Sequence, residues 1–414
     1  MMERRDEAQL PPEADIRAAL RRTTARLVEE LNAPQATPPV WSEFEWRVAM
    51  AVAAMHGVAG LLAGRLRWHG HEVWEAFLQE QLTGTLRRLE RIRALHARLD
   101  AAAREAGVAM QALKGSALIQ LELYADGERP MSDVDLLVRP AQFETAAHLI
   151  EGLGFVPGAQ VWKHREYVPV EAGDARAFGE HEANPVKIDL HSRIAERLPR
   201  REVEITERLF PQSAEPGLQI YPTLSALLRH LLLHAAGNLC DRSVRLIHLH
   251  DIAQFATRLA PADWEALFAD GVDWWLYPPL LWADRCLPGR IPAAVLERAA
   301  AICPADLRRH MRACQFEEVL VSRFTAPALP GLAWVGSPRE LLAYLKTRIY
   351  PGREASAQLR KAARGLDALQ TTRWGRMPRW QRALQWVGGA PPRAITMYSV
   401  QRALQHRPSS TTSA

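Results

Sequence analysis

Hydrophobic and polar positions divide the chain into three stretches with different periods. Up to about residue 107, apolar residues recur three and four positions apart, as in LRRLERIRALHARLDAAAREAG, which is the spacing of amphipathic helices. From about 108 to 197 the pattern changes to short apolar runs and alternating segments, which are typical of strands. After about residue 198 the helical spacing returns. The chain is therefore predicted to be an α+β protein, with a small mixed sheet flanked by helices on both sides.

These changes of period, together with the basic composition of the C-terminal end, predict four regions. They are an N-terminal helical region at 1–107, an α/β core at 108–197, a helical domain at 198–368 and a basic tail at 369–414. Within the core, VAMQAL, SDVDLLV, REYVPVE and PVKIDLHSRI are predicted strands. SALIQLELYADG is predicted to be a helix that begins at Ser116 and ends at Gly127.

Two aspartates share one face of the predicted strand SDVDLLV. Because side chains alternate along a strand, Asp133 and Asp135 point one way, while the apolar residues between and after them point the other. The strand VKIDLHS repeats this pattern and places Asp189 on its polar face. If the two strands are neighbours, the three carboxylates converge and form an oxygen-rich site of the kind that suits Mg²⁺.

A phosphate-binding turn is predicted just upstream of the aspartates. Lys114, Gly115 and Ser116 lie where a strand passes into a helix, so free backbone N–H groups, a hydroxyl and a positive charge are available there. Arg129 precedes the acidic strand and is expected either to hold a phosphate or to fix the strand through bidentate contacts. An extended helix or loop is expected to span the residues between Ser116 and Asp133.

The order of these elements resembles that of the DNA polymerase beta-type nucleotidyltransferases. A strand is followed by Gly-Ser, a helix, a strand with Asp-x-Asp and, later, a strand with one Asp. ALKGSAL, RPMSDVDLLV and KIDLHSRI resemble, more closely, a bacterial family of uncharacterised nucleotidyltransferases within that superfamily. Weaker similarities are AVAAMHGVAGLLAGRL, LLLHAAGN and LHDIAQFA, so the resemblance extends from about Trp46 to Leu259.

The resemblance implies a metal-dependent transfer of a nucleoside monophosphate from a nucleoside triphosphate, in the first place ATP, to a hydroxyl-bearing small molecule or peptide. Asp133 and Asp135 would bind two Mg²⁺ ions, with Mn²⁺ as an alternative. Asp189 would hold the catalytic ion and help to deprotonate the acceptor. Lys114, Gly115, Ser116 and Arg129 would bind the nucleotide.

Composition adds constraints on the class of protein. The four cysteines lie far apart without a CxxC pair, which indicates reduced thiols, and the charged start of the chain lacks a secretory signal, so a cytoplasmic location is expected. The apolar stretch 48–64 is interpreted as a buried helix and not a membrane span. His230 with His234, and His248 and His250 with Asp251, are interpreted as structural, with no assigned role.

The tail differs from the rest of the chain in charge. From Gln370 to Ala414 there are seven arginines and no acidic residue, although the net charge of the whole chain is only +5. Tryptophans alternate with these arginines, so contact with nucleic acid or an anionic membrane stays open, but packing on the body is favoured. The final PSSTTSA segment is expected to be disordered.

Two other functions remain open from the residues alone. An Asp-x-Asp glycosyltransferase is disfavoured because such folds normally open with a parallel nucleotide-binding sheet, and here the first hundred or so residues are helical. A catalytically silent nucleotide-binding adaptor is disfavoured because all three aspartates are present.

Overall fold

The computed structural model of the chain describes residues 10–160, 162–171, 178–211, 213–269, 273–349 and 390–407. The helices are α1 (Glu13–Asn32), α2 (Glu43–His56), α3 (Ala59–Arg65), α4 (Glu72–Glu105), α5 (Gly115–Gln120), α6 (Phe143–Gly152), α7 (Thr206–Leu209), α8 (Leu224–Cys240), α9 (Leu246–Ala256), α10 (Pro261–Leu267), α11 (Tyr277–Cys286), α12 (Ala293–Ile302), α13 (Ala305–Ala313), α14 (Phe316–Val321), α15 (Pro338–Ile349) and α16 (Ala394–Gln405). The strands are β1 (Ala109–Ala112), β2 (Asp133–Val138), β3 (Phe155–Gln160), β4 (His164–Pro169), β5 (Lys187–His191), β6 (Ala195–Leu198), β7 (Arg201–Glu204) and β8 (Gly217–Gln219).

Six of these strands form one mixed sheet in the order β3-β4-β5-β2-β1-β8. The pairs β2–β5 and β1–β8 are parallel, whereas β1–β2, β3–β4 and β4–β5 are antiparallel. Strands β6 and β7 pair separately as a short antiparallel ribbon. The predicted α+β class, with a small mixed sheet between helical regions, is confirmed.

The two faces of the central strands are buried in different ways. On one face, Val134, Leu136 and Val138 of β2 and Ile188 and Leu190 of β5 pack against α4 and α6 in an apolar cluster. The other face carries the aspartates, and beyond it Leu113 and Leu137 join the larger core formed by the N-terminal and C-terminal helices. The N-terminal and C-terminal helices therefore cover the polar face of the sheet.

Two predicted helices differ from the observed ones. The helix predicted from Ser116 to Gly127 ends at Gln120, because Glu122 takes a left-handed conformation with φ of +49° and the chain turns away. The apolar stretch 48–64 forms two helices instead of one, because Gly57 ends α2 in a left-handed conformation with φ of +70°.

Among the described residues, no single helix is long and apolar enough to cross a membrane; only α2 and α3 taken together meet that test, and they are bent by 114°. Their apolar residues are packed in the main core, as expected for a buried helical pair. All four cysteines are free thiols, as predicted.

The predicted region boundaries at 107, 197 and 368 stay predictions. Strand β8 adds an edge to the sheet from beyond residue 197, where only helices were expected. In the tail, α16 packs against α2 through buried Met397, Val400 and Ala403. The Trp-Arg alternation at 373–386 and the PSSTTSA end lie outside the described residues.

Candidate active site

The three predicted aspartates lie on one face of two adjacent parallel strands. Asp135 on β2 is the direct register partner of Asp189 on β5, and Asp133 lies two residues earlier on β2. Paired residues on neighbouring strands project to the same side, so the three carboxylates share the polar face. The convergence predicted from the alternating pattern is what the structure shows.

Asp135 is the most tightly bound of the three carboxylates. Its Oδ1 accepts a hydrogen bond from Lys114 Nζ at 2.9 Å and lies 3.1 Å from His191 Nε2. Burial favours the protonated acid, but Lys114 and His191 outweigh it and hold the pKa of Asp135 well below its usual range. Asp135 is therefore ionised. Both of these contacts are made by its Oδ1 and not by its Oδ2.

Asp133 and Asp189 have the opposite electrostatics. Burial and the charge of Asp135 raise the pKa of Asp133. Burial, followed by the charges of Asp135 and Asp133, raises the pKa of Asp189 to about 7. Lys114 lowers both values but does not restore them, and it is one ammonium group beside three carboxylates. A further cation bound there would relieve the repulsion.

Lys114 connects the turn after β1 to the carboxylates. Its φ of +44° is unusual for a residue with a side chain, and its N–H donates to the hydroxyl of Tyr221 at 3.0 Å. Burial opposes its charged form, but the charges of Asp135, Asp133 and Asp189 raise its pKa. The strained turn thus directs a charged ammonium group at the acidic face.

Gly115 and Ser116 are enclosed behind this lysine. Ser116 is 1% exposed, its N–H donates to Leu113 O at 3.1 Å and its Oγ lies 3.0 Å from His96 Nε2. A Cβ added at Gly115 would lie 2.5 Å from Met131 Sδ and 2.7 Å from Arg129 Nη1. Within the Lys-Gly-Ser turn, Lys114 is the residue whose side chain reaches the carboxylates.

Arg129 is held by a partner to which sequence analysis gave no role. Its Nε and Nη2 donate to the two oxygens of Asp251, both at 2.8 Å, and the hydroxyl of Tyr124 donates to Asp251 Oδ1 at 2.8 Å. Asp251 lies on α9 and is 2% exposed. This bidentate pair fixes the segment that leads into β2 against the C-terminal helices.

Two histidines at the site were not assigned by sequence analysis. His191 shares the polar face of β5 with Asp189, a position visible in the alternating pattern. His164 lies opposite His191 on β4, and its Nε2 is 3.3 Å from Asp189 Oδ2. No sequence signal marked His164, because its place depends on the pairing of β4 with β5.

The other histidine pairs have neighbours of their own. His230 Nδ1 lies 2.6 Å from the hydroxyl of Tyr221, and His234 Nε2 lies 3.1 Å from Asn238 Nδ2. His250 Nδ1 lies 2.9 Å from the hydroxyl of Tyr124. Through the hydroxyl of Tyr221, two hydrogen bonds connect His230 with the backbone N–H of Lys114.

A comparison with protein families identifies the chain. The model of a family described as "Uncharacterised nucleotidyltransferase" matches residues 42–283, which is more than half of the 414 residues. The chain belongs to this family. The match includes the elements that carry the candidate site described above, from α4 to α9. Neither the curated proteins nor the solved structures that were searched contain a match to the chain.

Proposed function

We propose that this nucleotidyltransferase moves a nucleoside monophosphate from a nucleoside triphosphate to a hydroxyl-bearing acceptor and releases pyrophosphate. Membership of the family supports nucleotidyl transfer in general. The observation that carries the specific proposal is the convergence of Asp133, Asp135 and Asp189 on one enclosed face, beside the ammonium group of Lys114.

The donor set fits the divalent ions that this chemistry uses. Three carboxylates offer hard oxygen ligands, which suit Mg²⁺ or Mn²⁺. Burial, followed by the charges of the neighbouring aspartates, raises the pKa values of Asp133 and Asp189, and a bound cation would offset that repulsion. Asp133, Asp135 and Asp189 would hold two such ions. When bound, the ions would offset the charge that develops on the transferred phosphoryl group and its leaving group.

Each residue of the site has a proposed task. Asp189 would hold an ion and help to deprotonate the acceptor hydroxyl. Lys114 would contact the phosphates from its strained turn. Gly115 and Ser116 would shape that turn, and Arg129 would position the start of β2 through Asp251. In this proposal Lys114 contacts the nucleotide directly, whereas Gly115, Ser116 and Arg129 support its binding by holding the backbone in place.

We further propose ATP as the triphosphate, a small molecule or peptide as the acceptor, and a cytoplasmic location. Contact of the basic tail with nucleic acid or a membrane is not part of the proposal.

The test is transfer of labelled phosphate. The full chain is incubated with Mg²⁺, α-labelled nucleoside triphosphates and a cell extract, and the labelled product is identified. Label from the α position in a product that the triple variant Asp133→Asn, Asp135→Asn, Asp189→Asn does not form supports the proposal. Label from the γ position alone would indicate a kinase, and transfer of a sugar from a nucleotide sugar would indicate a glycosyltransferase.

A nucleotide-binding adaptor is the second candidate. The observation in its favour is the enclosure of Ser116, whose N–H and hydroxyl already have partners inside the protein. Binding of a nucleoside triphosphate with Mg²⁺, without label transfer to any component of the extract, would support the adaptor.

A further inference from the structure

Beside the three aspartates lies a second group of metal-ligand side chains, which contains nitrogen. His164, Asp189 and His191 each offer one ligand atom, and these atoms all lie within 4.8 Å of one another. His164 and His191 are direct cross-strand partners on β4 and β5, with ring centroids 4.8 Å apart. Within the part of the chain that the structure describes, no other group of three or more histidine, cysteine or acidic side chains has its ligand atoms this close together.

One ring nitrogen of His191 is hydrogen-bonded to Asp135, and the other has no hydrogen bond. It is 3% exposed, its Nε2 lies 3.1 Å from Asp135 Oδ1, and its buried Nδ1 has no hydrogen-bond partner. A carboxylate that accepts the Nε2 proton fixes the tautomer and leaves the lone pair on Nδ1. Histidines that bind metals in proteins frequently donate their other ring N–H to a carboxylate, as His191 does to Asp135.

His164 completes the group from the neighbouring strand. Its Nε2 lies 3.3 Å from Asp189 Oδ2, close to the edge of about 3.4 Å expected between two ligands of a tetrahedral zinc ion. The two nitrogens of one imidazole point in different directions, so the buried Nδ1 of His164, which also lacks a hydrogen-bond partner, is not a second ligand atom for the same ion. A buried polar nitrogen without a partner is costly unless a ligand satisfies it, so the Nδ1 of His191 points to a ligand that accepts an imidazole lone pair.

We propose that His164, Asp189 and His191 form a binding site for a divalent transition-metal ion of the Zn²⁺ class, which adjoins the three-aspartate site by sharing Asp189. Two imidazole nitrogens and one carboxylate are ligands that zinc-like ions prefer, whereas Mg²⁺ prefers oxygen alone. Three protein ligands leave an open position for water or a substrate oxygen. This inference goes beyond the proposed function, because it concerns a second class of ion and not the transfer itself.

The test is a Zn²⁺ titration of the full chain in competition with a chromophoric chelator. The wild type is expected to bind Zn²⁺ at this site, and His164→Ala is expected to weaken that binding by on the order of 100-fold or more, because a ligand matters at least as much as its outer-shell partners. His148→Ala is the matched control, since His148 is exposed on α6, and it should leave the affinity unchanged.

A second control addresses a histidine–cysteine pair elsewhere among the described residues. His310 Nε2 lies 3.5 Å from Cys314 Sγ, so this pair offers two ligands for Zn²⁺. His310→Ala should not change the high-affinity binding. Loss of binding in His310→Ala, or an affinity in His164→Ala equal to that of the wild type, would overturn the proposal.

His191→Ala requires separate treatment because it also removes a hydrogen bond to Asp135. Its circular dichroism and unfolding midpoint show whether it folds. If it does not, the visible spectrum of Co²⁺ bound to the wild type and to His164→Ala decides, since loss of an imidazole ligand changes the spectrum. Identical Co²⁺ spectra would contradict the site.

The outcome is independent of the proposed nucleotidyl transfer. Asp133→Asn is expected to lose transfer while its Zn²⁺ affinity stays within a few-fold of the wild type, because Asp133 is not a member of the His-Asp-His group. If the protein binds zinc through His164 but transfers no nucleotide, this inference holds and the proposed function fails. If it transfers the nucleotide but its zinc binding does not depend on His164, the proposed function holds and this inference fails.

Discussion

Two buried clusters of charged groups in this protein differ in how their charges are balanced. In one, a single cation, Arg129, meets a single anion, Asp251, through two hydrogen bonds of 2.8 Å. In the other, Asp133, Asp135 and Asp189 share one face, and the pKa values of Asp133 and Asp189 are raised despite the nearby ammonium group of Lys114.

The difference indicates what each cluster does. A balanced bidentate pair joins two parts of the fold and leaves no charge for a ligand. A surplus of carboxylates destabilises the metal-free protein and is relieved only by protonation or by a bound cation. We therefore assign the first cluster to the stability of the fold and the second to ligand binding, and the predictions below separate these roles.

The largest expected effect is on transfer. Single substitutions Asp133→Asn, Asp135→Asn or Asp189→Asn should each lower the rate of α-phosphate transfer on the order of 1000-fold or more, because each removes a ligand charge from the reacting centre. The rate of label incorporation measures this. Asp126→Asn is the matched control, since Asp126 is an exposed partner of Arg93, and it should keep the wild-type rate.

The next effect is on stability, at the balanced cluster. Asp251→Asn should lower the free energy of unfolding by about 3–5 kcal/mol, because it leaves the buried guanidinium of Arg129 without its counter-charge. The same change at the exposed Arg93–Asp126 pair should cost less than about 1 kcal/mol. Denaturant unfolding compares the two. A smaller loss in Asp251→Asn than in Asp126→Asn would reverse our assignment.

A pH effect sharpens the comparison at Asp189. Its folded pKa of about 7 lies above the ordinary value of 3.8, so between these values the folded state holds a proton that the unfolded state releases. The metal-free protein should therefore lose on the order of 3–4 kcal/mol of stability from this group as the pH rises from 4 to 7.

Asp189→Asn should lack this component, so its stability relative to the wild type should increase over the same pH range. Unfolding with a chelator present measures the metal-free slope. Added Mg²⁺ should oppose it, because the ion binds the carboxylate form. Parallel pH profiles of the wild type and the variant would show that Asp189 is not protonated in this range.

Sequence analysis predicted the parts of the site that depend on local pattern. The alternation in SDVDLLV and VKIDLHS fixed which faces Asp133, Asp135 and Asp189 occupy, because a period of two follows directly from strand geometry. The motifs ALKGSAL, RPMSDVDLLV and KIDLHSRI indicated the family. These features need only neighbouring residues, so a single sequence suffices for them.

The features that were missed depend on contacts between distant segments. Asp251 meets Arg129 across 122 positions of the chain, and His164 joins the site only through the register of β4 with β5. The helix predicted from Ser116 to Gly127 was wrong because Glu122 and Gly127 take left-handed conformations in a turn that its apolar pattern does not show. Strand β8 was missed because three residues give too short a pattern.

The central claim is that the three aspartates bind a divalent ion together with a nucleoside triphosphate. Calorimetric titration of the full chain with a non-hydrolysable triphosphate analogue, with and without Mg²⁺, tests it most directly. We predict binding that requires Mg²⁺ and is at least about 100-fold weaker in the triple Asp133→Asn, Asp135→Asn, Asp189→Asn variant. Equal affinity in the wild type and the variant would contradict the account.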